Sequence, residues 1–306
     1  MAILFHTPWD NAPIWLDALR RALPDTEIRV WPEIGRPEEI LFAIVWNLPA
    51  GALDDCVNLK GVCSLGAGVD HLTGLPPDVP AARLVDPLMA DRMAEYVCGH
   101  VLHHHLGTSL YIRQQRERRW QQQPRRDARD VTVTILGLGS LGRVCARRLV
   151  GLGFKVTGWS RSPQQLDNVD TLSGEAALNT VLSGADMIVC LLPLTEETRG
   201  LLDAERLALL PRGAVVINCA RGAHIVAADL IAALETGHLA GASLDVFESE
   251  PLPESHPYWS NRRIVVTPHV SSLSEPSTGA LILADQYRLC LSGQEMRHLV
   301  DPAAGY

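Results

Sequence analysis

Three side chains that could bind and protonate an anionic substrate follow strand-like segments in the second half of the chain. Arg221, Glu250 and His269 each lie just past the end of such a segment. Arginine gives a carboxylate a fixed two-pronged contact, and histidine, which titrates near neutrality, suits general acid catalysis. A neighbouring glutamate favours the charged imidazolium and orients its ring. Taken singly, each residue could instead form a plain ion pair or belong to an ordinary loop. Together at one edge of a sheet, the three residues indicate the reduction of a keto acid, provided that a hydride source is present.

The stretch Val131–Gly142, VTVTILGLGSLG, predicts where a dinucleotide that supplies this hydride would bind. β-Branched residues run into Gly137, Gly139 and Gly142, and a segment of helical periodicity follows at Arg143–Val150. The glycines therefore lie on a turn from strand to helix. The first permits the tight turn, the second lets the backbone approach a pyrophosphate, and the third lets the helix pack on the strand. The N–H groups at the helix start then face the phosphates.

The end of the next predicted strand, Gly158-Trp-Ser-Arg-Ser162, bears on the choice of cofactor. A fold of this type that selects NAD carries an acid here, which binds the ribose 2′-hydroxyl. No carboxylate is present, whereas Arg161 can meet a 2′-phosphate and Ser160 and Ser162 can donate to it. NADP(H) is therefore the predicted cofactor, and NAD(H) stays open because Arg161 could instead stack on the adenine.

A second glycine loop, Leu65-Gly-Ala-Gly-Val-Asp70, follows a predicted strand near the N-terminus. Ligands of open parallel sheets bind at the carboxyl ends of the strands. The backbone N–H groups of this loop suit a small anion such as a carboxylate. A tight turn without a ligand is the alternative.

Strand-like and helical segments alternate along the chain, which is typical of the α/β class. The first part is predicted to hold strands at Ala2–Phe5, Glu27–Val30, Phe42–Trp46 and Leu59–Ser64 and a helix at Trp15–Ala22. The second part is predicted to hold six strands, at Val131–Leu136, Lys155–Trp159, Met187–Leu192, Ala214–Cys219, Gly241–Val246 and Ile264–Thr267. Helical stretches are predicted at Met89–Arg119, Asp203–Leu210, Ala227–Thr236 and 274–306.

These segments predict two Rossmann-like domains, each with a doubly wound parallel sheet. The cofactor domain, residues 89–273, is inserted into a substrate domain that comprises residues 1–88 and 274–306. A chain of 306 residues is also too long for one ordinary core.

The composition excludes several classes of protein. Apolar residues make up 47% and charged residues 20% of the chain, as in a globular enzyme, and the net charge of −8 disfavours a nucleic-acid partner. The seven cysteines form no C-x-x-C pair, which predicts reduced, buried thiols in a cytoplasmic protein. The first residues read as a strand, not a signal peptide, and no apolar run is long enough to span a membrane.

Two clusters of polar residues are predicted to have structural roles instead of binding a ligand. His100, His103, His104 and His105 are predicted to be satisfied or solvent-facing instead of metal-binding, because adjacent helical side chains point in different directions. The arginines from Arg113 to Arg129 alternate with glutamine and acids. They are predicted to form a solvated face or a subunit-contact arm.

Four motifs together resemble the D-2-hydroxyacid dehydrogenase family: Gly-Leu-Gly-Ser-Leu-Gly, Asn-Cys-Ala-Arg-Gly, Asp-Val-Phe-Glu-Ser-Glu-Pro-Leu-Pro and Thr-Pro-His. The likeness covers essentially the whole chain. Within the family it is greatest to reductases of glyoxylate and hydroxypyruvate. This closer likeness is carried by Ile44-Val-Trp46, Ser64-Leu-Gly-Ala-Gly-Val-Asp70, Met93-Ala-Glu-Tyr96, Gly158-Trp-Ser-Arg161 and the segment from Val300-Asp to Gly305-Tyr306.

The resemblance implies a set of site residues. Arg221, Glu250 and His269 are implied to be catalytic, with His269 as the acid/base. The implied substrate contacts are Trp46, the backbone N–H groups of Ala67, Gly68 and Val69, Arg221 and His269. The implied cofactor contacts are Gly137, Gly139, Ser140, Leu141, Gly142, Trp159, Ser160, Arg161, Ser162, Leu192, Pro193, Thr198, Cys219, Ala220, Arg221, Asp245, His269 and Ser271, with Asp245 near the nicotinamide amide.

The resemblance also implies an activity and a partner. The activity is the NADPH-dependent reduction of glyoxylate to glycolate and of hydroxypyruvate to D-glycerate, in an interdomain cleft with hinges near Asp86-Pro87 and Ser271–Glu275. The partner is a second copy, joined through the cofactor domains and Met89–Arg129. Rival hypotheses are an NAD-dependent D-lactate, phosphoglycerate or formate dehydrogenase, and a nucleotide-sensing binding protein like the co-repressors that share this fold.

Overall fold

The computed structural model describes residues 1–72, 74–76 and 78–301, which fold into two α/β units. One unit comprises Met1–Met89 and Ser274–Tyr306, and the other comprises Ala90–Leu273. Residues 302–306, which end the predicted substrate domain and include Gly305 and Tyr306 of the resemblance, lie outside the described residues.

The first unit is built on a five-stranded parallel sheet with the strand order β2-β1-β3-β4-β5. The strands are β1 (Ala2–His6), β2 (Glu27–Val30), β3 (Ile40–Val45), β4 (Gly61–Ser64) and β5 (Ala81–Ala82). Every residue of β3 and β4 is buried, as expected for parallel strands that are covered on both faces. The two-residue strand β5 is absent from the predicted elements, because so short a segment has no periodicity.

Two helices of the first unit pack against each other, α1 (Ala12–Ala22) and the last helix of the chain, α8 (Pro276–Leu291). The Trp15 ring of α1 is fully buried against Gly279 of α8, where an added Cβ would lie 2.6 Å from the ring. The predicted helical stretch over 274–306 is wrong for the described residues after Leu291, where α8 ends. The described residues after α8 run into an extended segment, in which the Val300 N–H donates to the Ala81 carbonyl at 2.8 Å.

The second unit is built on a seven-stranded parallel sheet with the order β12-β11-β10-β9-β6-β7-β8. The strands are β6 (Thr132–Leu136), β7 (Lys155–Ser160), β8 (Asp170–Ser173), β9 (Met187–Cys190), β10 (Ala214–Asn218), β11 (Leu239–Leu244) and β12 (Ile264–Val266). The predicted count of six strands is wrong by one. The strand missed is β8, a short edge strand whose residues are only partly buried, so that it carries no apolar run.

The helices that accompany this sheet are α2 (Pro87–His105), α3 (Thr108–Arg116), α4 (Ser140–Gly151), α5 (Glu175–Ser183), α6 (Ala204–Leu209) and α7 (Ala227–Glu235). Those that contribute apolar residues to the cores on its two faces are α2, α4, α5, α6 and α7. Alternate strand residues face two cores. One core contains apolar residues of α2 and α4, and the other contains those of α5, α6 and α7. The predicted helix over Met89–Arg119 is interrupted at Gly107, whose φ of +66° ends α2 before α3 begins.

The predicted α/β class with two parallel sheets is confirmed. None of the helices within the described residues combines the length and the apolar character needed to cross a bilayer.

Candidate active site

The turn between β6 and α4 has the geometry that a pyrophosphate site requires. Gly137 adopts a φ of +105°, and an added Cβ would lie 2.7 Å from the Leu191 carbonyl oxygen. A Cβ on Gly142 would lie 1.9 Å from the Gly137 carbonyl oxygen, so helix and strand approach too closely for any side chain. A Cβ on Gly139 would meet nothing within 4 Å, so this side of the turn is open. The turn therefore fits a dinucleotide at the N-terminus of α4.

The strand order places this turn at the point where the sheet changes direction. From β6 the chain proceeds outward to β7 and β8, and then returns to β9 on the other side of β6. Nucleotides bind at such a switch point in α/β sheets. The residues after β9 that are predicted to contact the cofactor lie in a turn held by hydrogen bonds. In it, the Thr198 hydroxyl donates to the Pro193 carbonyl at 2.7 Å and accepts from the Thr195 N–H at 2.8 Å.

Residues 159–162, at the end of β7, separate into one buried and several accessible groups. The Trp159 ring is 7% exposed and its Nε1 donates to the Gly174 carbonyl at 2.9 Å, so this indole belongs to the core. The Ser160 hydroxyl donates to the Ser162 carbonyl at 2.8 Å. The Arg161 side chain is 51% exposed, and its Nη1 lies 3.9 Å from a Glu197 carboxylate oxygen. Arg161 is thus an accessible cation beside the nucleotide turn.

The turn that carries Arg221 follows β10 and is held by two buried side chains. The Asn218 amide accepts from the Ala220 N–H at 3.1 Å and donates to the Arg221 carbonyl at 2.9 Å. The His224 ring is fully buried, with Nδ1 3.0 Å from the Arg221 carbonyl and Nε2 3.2 Å from that of Pro193. Burial lowers the pKa of His224, but the Cys190 thiol and the two carbonyls outweigh it and raise the pKa above its ordinary value.

His269 and Glu250 form the predicted pair. The Nδ1 atom of His269 lies 2.7 Å from Oε2 of Glu250, and Oε1 of Glu250 accepts from the Phe247 N–H at 2.9 Å. Burial raises the pKa of Glu250, but the hydrogen bond and charge of His269, the Phe247 N–H and the Arg221 cation together lower it below its ordinary value. Glu250 is therefore a carboxylate at neutral pH. Because Nδ1 is engaged, Nε2 is the ring nitrogen left for proton transfer.

The loop that carries His269 is fixed by the carboxylate of Asp245, which is fully buried. Oδ1 accepts from the Thr267 hydroxyl at 2.6 Å and the Val270 N–H at 2.9 Å, and Oδ2 accepts from the Ser271 N–H at 2.8 Å. His269 itself adopts a φ of +53°, which is uncommon outside glycine. Asp245 thus stabilises the strained backbone that presents the imidazole, and one lone pair of Oδ2 is left for a further donor such as an amide.

A tyrosine from α2 extends this network. The Tyr96 hydroxyl lies 2.6 Å from Oγ1 of Thr267, a separation of 171 residues along the chain. Since the Thr267 hydroxyl donates to Asp245, the Tyr96 hydroxyl is the donor in this contact. Burial raises the pKa of Tyr96, so the phenol keeps its proton.

The histidines of α2 are engaged with protein groups. Nδ1 of His100 and Nε2 of His104 lie 2.8 and 2.9 Å from the buried Ser243 hydroxyl. Burial lowers the pKa of His100 and lowers that of His104 to about 3, so both rings are neutral. Within the described residues, no three His, Cys, Asp or Glu side chains are arranged to hold a metal ion.

The predicted carboxylate loop lies in the first unit, after β4. Val45 of β3 pairs with Ser64 of β4, so that the loops after both strands are neighbours. A Cβ on Gly66 would lie 2.6 Å from the Trp46 ring, which shows how closely the indole packs on this loop. Throughout the described chain, the N–H groups of Ala67, Gly68 and Val69 have no acceptor. Three consecutive donors are thus available to an anion.

Sequence reasoning missed the residues that hold these side chains in place. Asn218, Tyr96 and Thr267 lie inside motifs quoted above, so their positions carried a signal. Nothing in the sequence signalled their roles, because hydrogen-bond partners such as Tyr96 and Thr267 are distant along the chain. His224 is a single histidine without a pattern around it.

Comparison with known proteins identifies the family. The family model of the D-isomer specific 2-hydroxyacid dehydrogenase, NAD binding domain, matches residues 98–271. Glyoxylate/hydroxypyruvate reductase A of Serratia proteamaculans (strain 568) is 39% identical over 315 residues, and the match covers 100% of both chains.

Solved structures agree with this result. The D-isomer specific 2-hydroxyacid dehydrogenase from Xanthobacter autotrophicus Py2, in complex with NADPH and MES, is 44% identical, with a TM-score of 0.94 over 100% of this chain and 99% of that chain. The NADPH-dependent glyoxylate/hydroxypyruvate reductase from Sinorhizobium meliloti, in complex with NADP and sulfate, is 37% identical, with a TM-score of 0.93 and the same coverage. The resemblance inferred from the motifs is confirmed: the chain belongs to the D-isomer specific 2-hydroxyacid dehydrogenase family and is an NAD(P)-dependent oxidoreductase.

Proposed function

We propose that the protein uses NADPH to reduce small 2-keto acids, with glyoxylate and hydroxypyruvate as substrates, to the corresponding 2-hydroxy acids. The observation that carries the proposal is the 2.7 Å contact between His269 and Glu250, which supports His269 as the general acid. The relatives from Serratia proteamaculans and Sinorhizobium meliloti bear names that include both substrates, and the latter is called NADPH-dependent.

The substrate carboxylate binds to two kinds of donor in this proposal. The Arg221 guanidinium supplies a planar, charged fork, and the N–H groups of Ala67, Gly68 and Val69 supply backbone dipoles. Trp46, packed on the same loop, limits the size of the group next to the keto carbon. Small 2-keto acids are therefore favoured.

The cofactor would be held by the open side of the turn at Gly139, by the N-terminus of α4 and by Arg161. Bound there, the reduced nicotinamide supplies the hydride. The chain's own task is placement and proton transfer. Asp245 fixes the backbone of His269, and Glu250 orients the ring through Nδ1. The ring then donates its Nε2 proton to the carbonyl oxygen, so that the alkoxide charge is neutralised as it develops.

The test is turnover with NADPH over a panel of glyoxylate, hydroxypyruvate, pyruvate and phenylpyruvate, each also run with NADH. The proposal predicts that, with NADPH, kcat/KM is higher for glyoxylate and hydroxypyruvate than for phenylpyruvate. No oxidation of NADPH by either acid, or a preference for phenylpyruvate, would refute the substrate assignment. A nucleotide-sensing protein would bind NADPH and show no turnover with any acid.

We also infer a homodimer joined through the cofactor domains and the segment Met89–Arg129. Aromatic and aliphatic side chains of this segment are exposed in the single chain: Trp120 is 98% exposed, and Tyr111 and Ile112 exceed 40%. Large exposed apolar groups mark contact surfaces. Light scattering would decide between a monomer and a dimer. A cytoplasmic location fits the seven cysteines, all of them thiols.

Arg161→Ala is expected to raise the Michaelis constant for NADPH about ten-fold, with little change for NADH. Only NADPH carries the 2′-phosphate that loses a charge-assisted partner, and such a hydrogen bond contributes about 1.5–3 kcal/mol. Steady-state kinetics with both cofactors at saturating glyoxylate measures the effect. Equal changes in the two constants would remove Arg161 from this role.

Glu250→Gln is expected to lower kcat/KM for glyoxylate reduction at neutral pH about ten-fold, because a charge-assisted hydrogen bond to Nδ1 of His269 becomes a neutral one. The pKa of Glu250 lies below its ordinary value, so the carboxylate is charged at neutral pH and takes up a proton only as the pH falls through that lowered pKa. The contribution of Glu250 to kcat/KM should therefore be lost on the acid side of the profile of the unsubstituted enzyme. Glutamine carries no charge at any pH, so the ratio of the two kcat/KM values should narrow as the pH falls. A ratio near one at neutral pH would show that Glu250 does not support His269.

A further inference from the structure

His71 joins the two loops that carry the predicted substrate contacts of the first unit. Its Nδ1 atom accepts from the Asn47 N–H at 3.2 Å, and its Nε2 atom lies 3.0 Å from Oγ of Ser64. Its ring centroid lies 4.4 Å from that of Trp46. Asn47 adopts a φ of +50°, a conformation that asparagine tolerates. The residue is thus in contact with the end of β3, the end of β4 and the indole.

The hydrogen bonds determine which ring nitrogen carries the proton. Because Nδ1 accepts from an N–H, the neutral ring carries its proton on Nε2 and donates it to Ser64. The Ser64 hydroxyl then donates to the Gly68 carbonyl at 2.9 Å, and its oxygen also lies 3.2 Å from the Gly66 N–H. This direction excludes a nucleophile and base pair, since a base would have to accept the serine proton.

This chain of donors sets the orientation of the peptide between Gly68 and Val69. A trans peptide is planar, and its C=O and N–H point in opposite directions. When the Ser64 hydroxyl holds the Gly68 carbonyl, the Val69 N–H is directed away from Ser64. The Gly66 N–H already donates to the Ser64 hydroxyl oxygen. The N–H groups of Ala67, Gly68 and Val69 are therefore the remaining donors of the loop.

We propose that His71 is a positioning residue for the substrate carboxylate. It orients the N–H groups of the 66–69 loop through Ser64 and holds the Trp46 ring against that loop. The inference rests on the proposed function, in which this loop binds the carboxylate. It assigns to His71 an effect on substrate affinity and none on proton transfer, which belongs to His269.

Two substitutions of His71 separate its hydrogen bonds from its bulk. His71→Gln can place an amide oxygen toward Asn47 and an amide NH₂ toward Ser64, because the two heteroatoms have nearly the spacing of the ring nitrogens. His71→Phe keeps a ring beside Trp46 and loses both hydrogen bonds. We expect the phenylalanine variant to raise KM for glyoxylate about ten-fold, in line with the loss of two hydrogen bonds, and to leave kcat within about two-fold. The glutamine variant should recover most of the affinity.

Calorimetry with oxalate provides a readout that needs no turnover. Oxalate resembles glyoxylate in its carboxylate but cannot be reduced, and it is titrated into the NADP⁺-loaded protein. Its Kd should rise in His71→Phe and recover in His71→Gln, whereas the Kd for NADPH should be unchanged in both. Ser64→Ala should weaken oxalate binding as His71→Phe does. The double variant should be no weaker than either single variant, because the two residues act in one chain.

The outcomes distinguish this inference from the proposed function. If the unsubstituted enzyme reduces glyoxylate and His71→Phe binds oxalate normally, the positioning role is overturned and the proposed function stands. The positioning role would also be overturned if His71→Gln and His71→Phe changed kcat and KM to the same extent. Additive effects of Ser64→Ala and His71→Phe on oxalate binding would overturn it as well. If glyoxylate is not reduced but oxalate binding depends on His71 as described, the substrate assignment fails and the positioning role stands. Absence of oxalate binding by an unsubstituted protein that also fails to reduce glyoxylate would overturn both.

Discussion

His269→Ala is expected to lower kcat for glyoxylate reduction by about a hundred-fold to ten-thousand-fold, the range associated with the loss of a general acid. Without the imidazole, the carbonyl oxygen must take its proton from water while the hydride is transferred. The Kd for NADPH should change little, because the turn proposed to hold the phosphates follows β6, whereas His269 lies in the loop after β12. Steady-state kinetics and a fluorescence titration of NADPH measure the two quantities.

His238→Ala is the matched control for this experiment. His238 also lies in the second unit, but its Nε2 atom contacts the Leu207 carbonyl at 3.1 Å at the start of β11, the end of the strand opposite Asp245, so its removal should leave kcat unchanged. A loss of less than ten-fold in His269→Ala would contradict the proposed acid role. A parallel loss of NADPH affinity would show that the substitution disturbs the fold of the unit.

Arg221→Lys is expected to lower kcat/KM for glyoxylate by about ten-fold to a hundred-fold. Lysine keeps the positive charge but not the planar fork, so one of two charge-assisted hydrogen bonds to the carboxylate is lost. The Arg221 cation also contributes to the lowered pKa of Glu250, so the flexible ammonium group should loosen the His269–Glu250 pair as well. Kinetics with glyoxylate and with glycolaldehyde, which lacks the carboxylate, separates the two effects.

The control is Arg206→Lys, because Arg206 in α6 contacts a backbone carbonyl and the Asp203 carboxylate instead of a substrate. It should retain the kcat/KM of the unsubstituted enzyme. If Arg221→Lys does likewise, Arg221 is a structural residue. If the loss with glycolaldehyde equals the loss with glyoxylate, the guanidinium does not bind the carboxylate.

The sheet around the cofactor turn was largely predictable because its strands are buried on both faces and read as apolar runs. The residues Thr132–Leu136 and Ala214–Asn218 are examples: the first strand is followed by Gly137, and the second ends on the polar Asn218. The glycine spacing was equally informative, since the structure gives Gly137 and Gly142 no room for a side chain. Strand β8 carried no such signal: it lies at the sheet edge and only Leu172 is a large apolar residue within it.

The groups that position the site were beyond prediction for a different reason. A hydrogen bond between Tyr96 and Thr267, or between His71 and Asn47, depends on the register of strands and on loop conformations that no local pattern encodes. A buried polar residue also reads the same in the sequence whether it supports a turn or binds a ligand. The positions of Arg221, Glu250 and His269 were accessible because a family motif surrounds each one.

The contacts of Asp245 have a consequence for transplanting the loop that carries His269 into other scaffolds. Three donors from Thr267 to Ser271 converge on one carboxylate, which lies directly after a different strand, β11. An insertion or deletion within those five residues would leave at least one of these donors without its acceptor in a buried site. The loop and Asp245 therefore form a single unit, which recombination or loop grafting must carry as a whole.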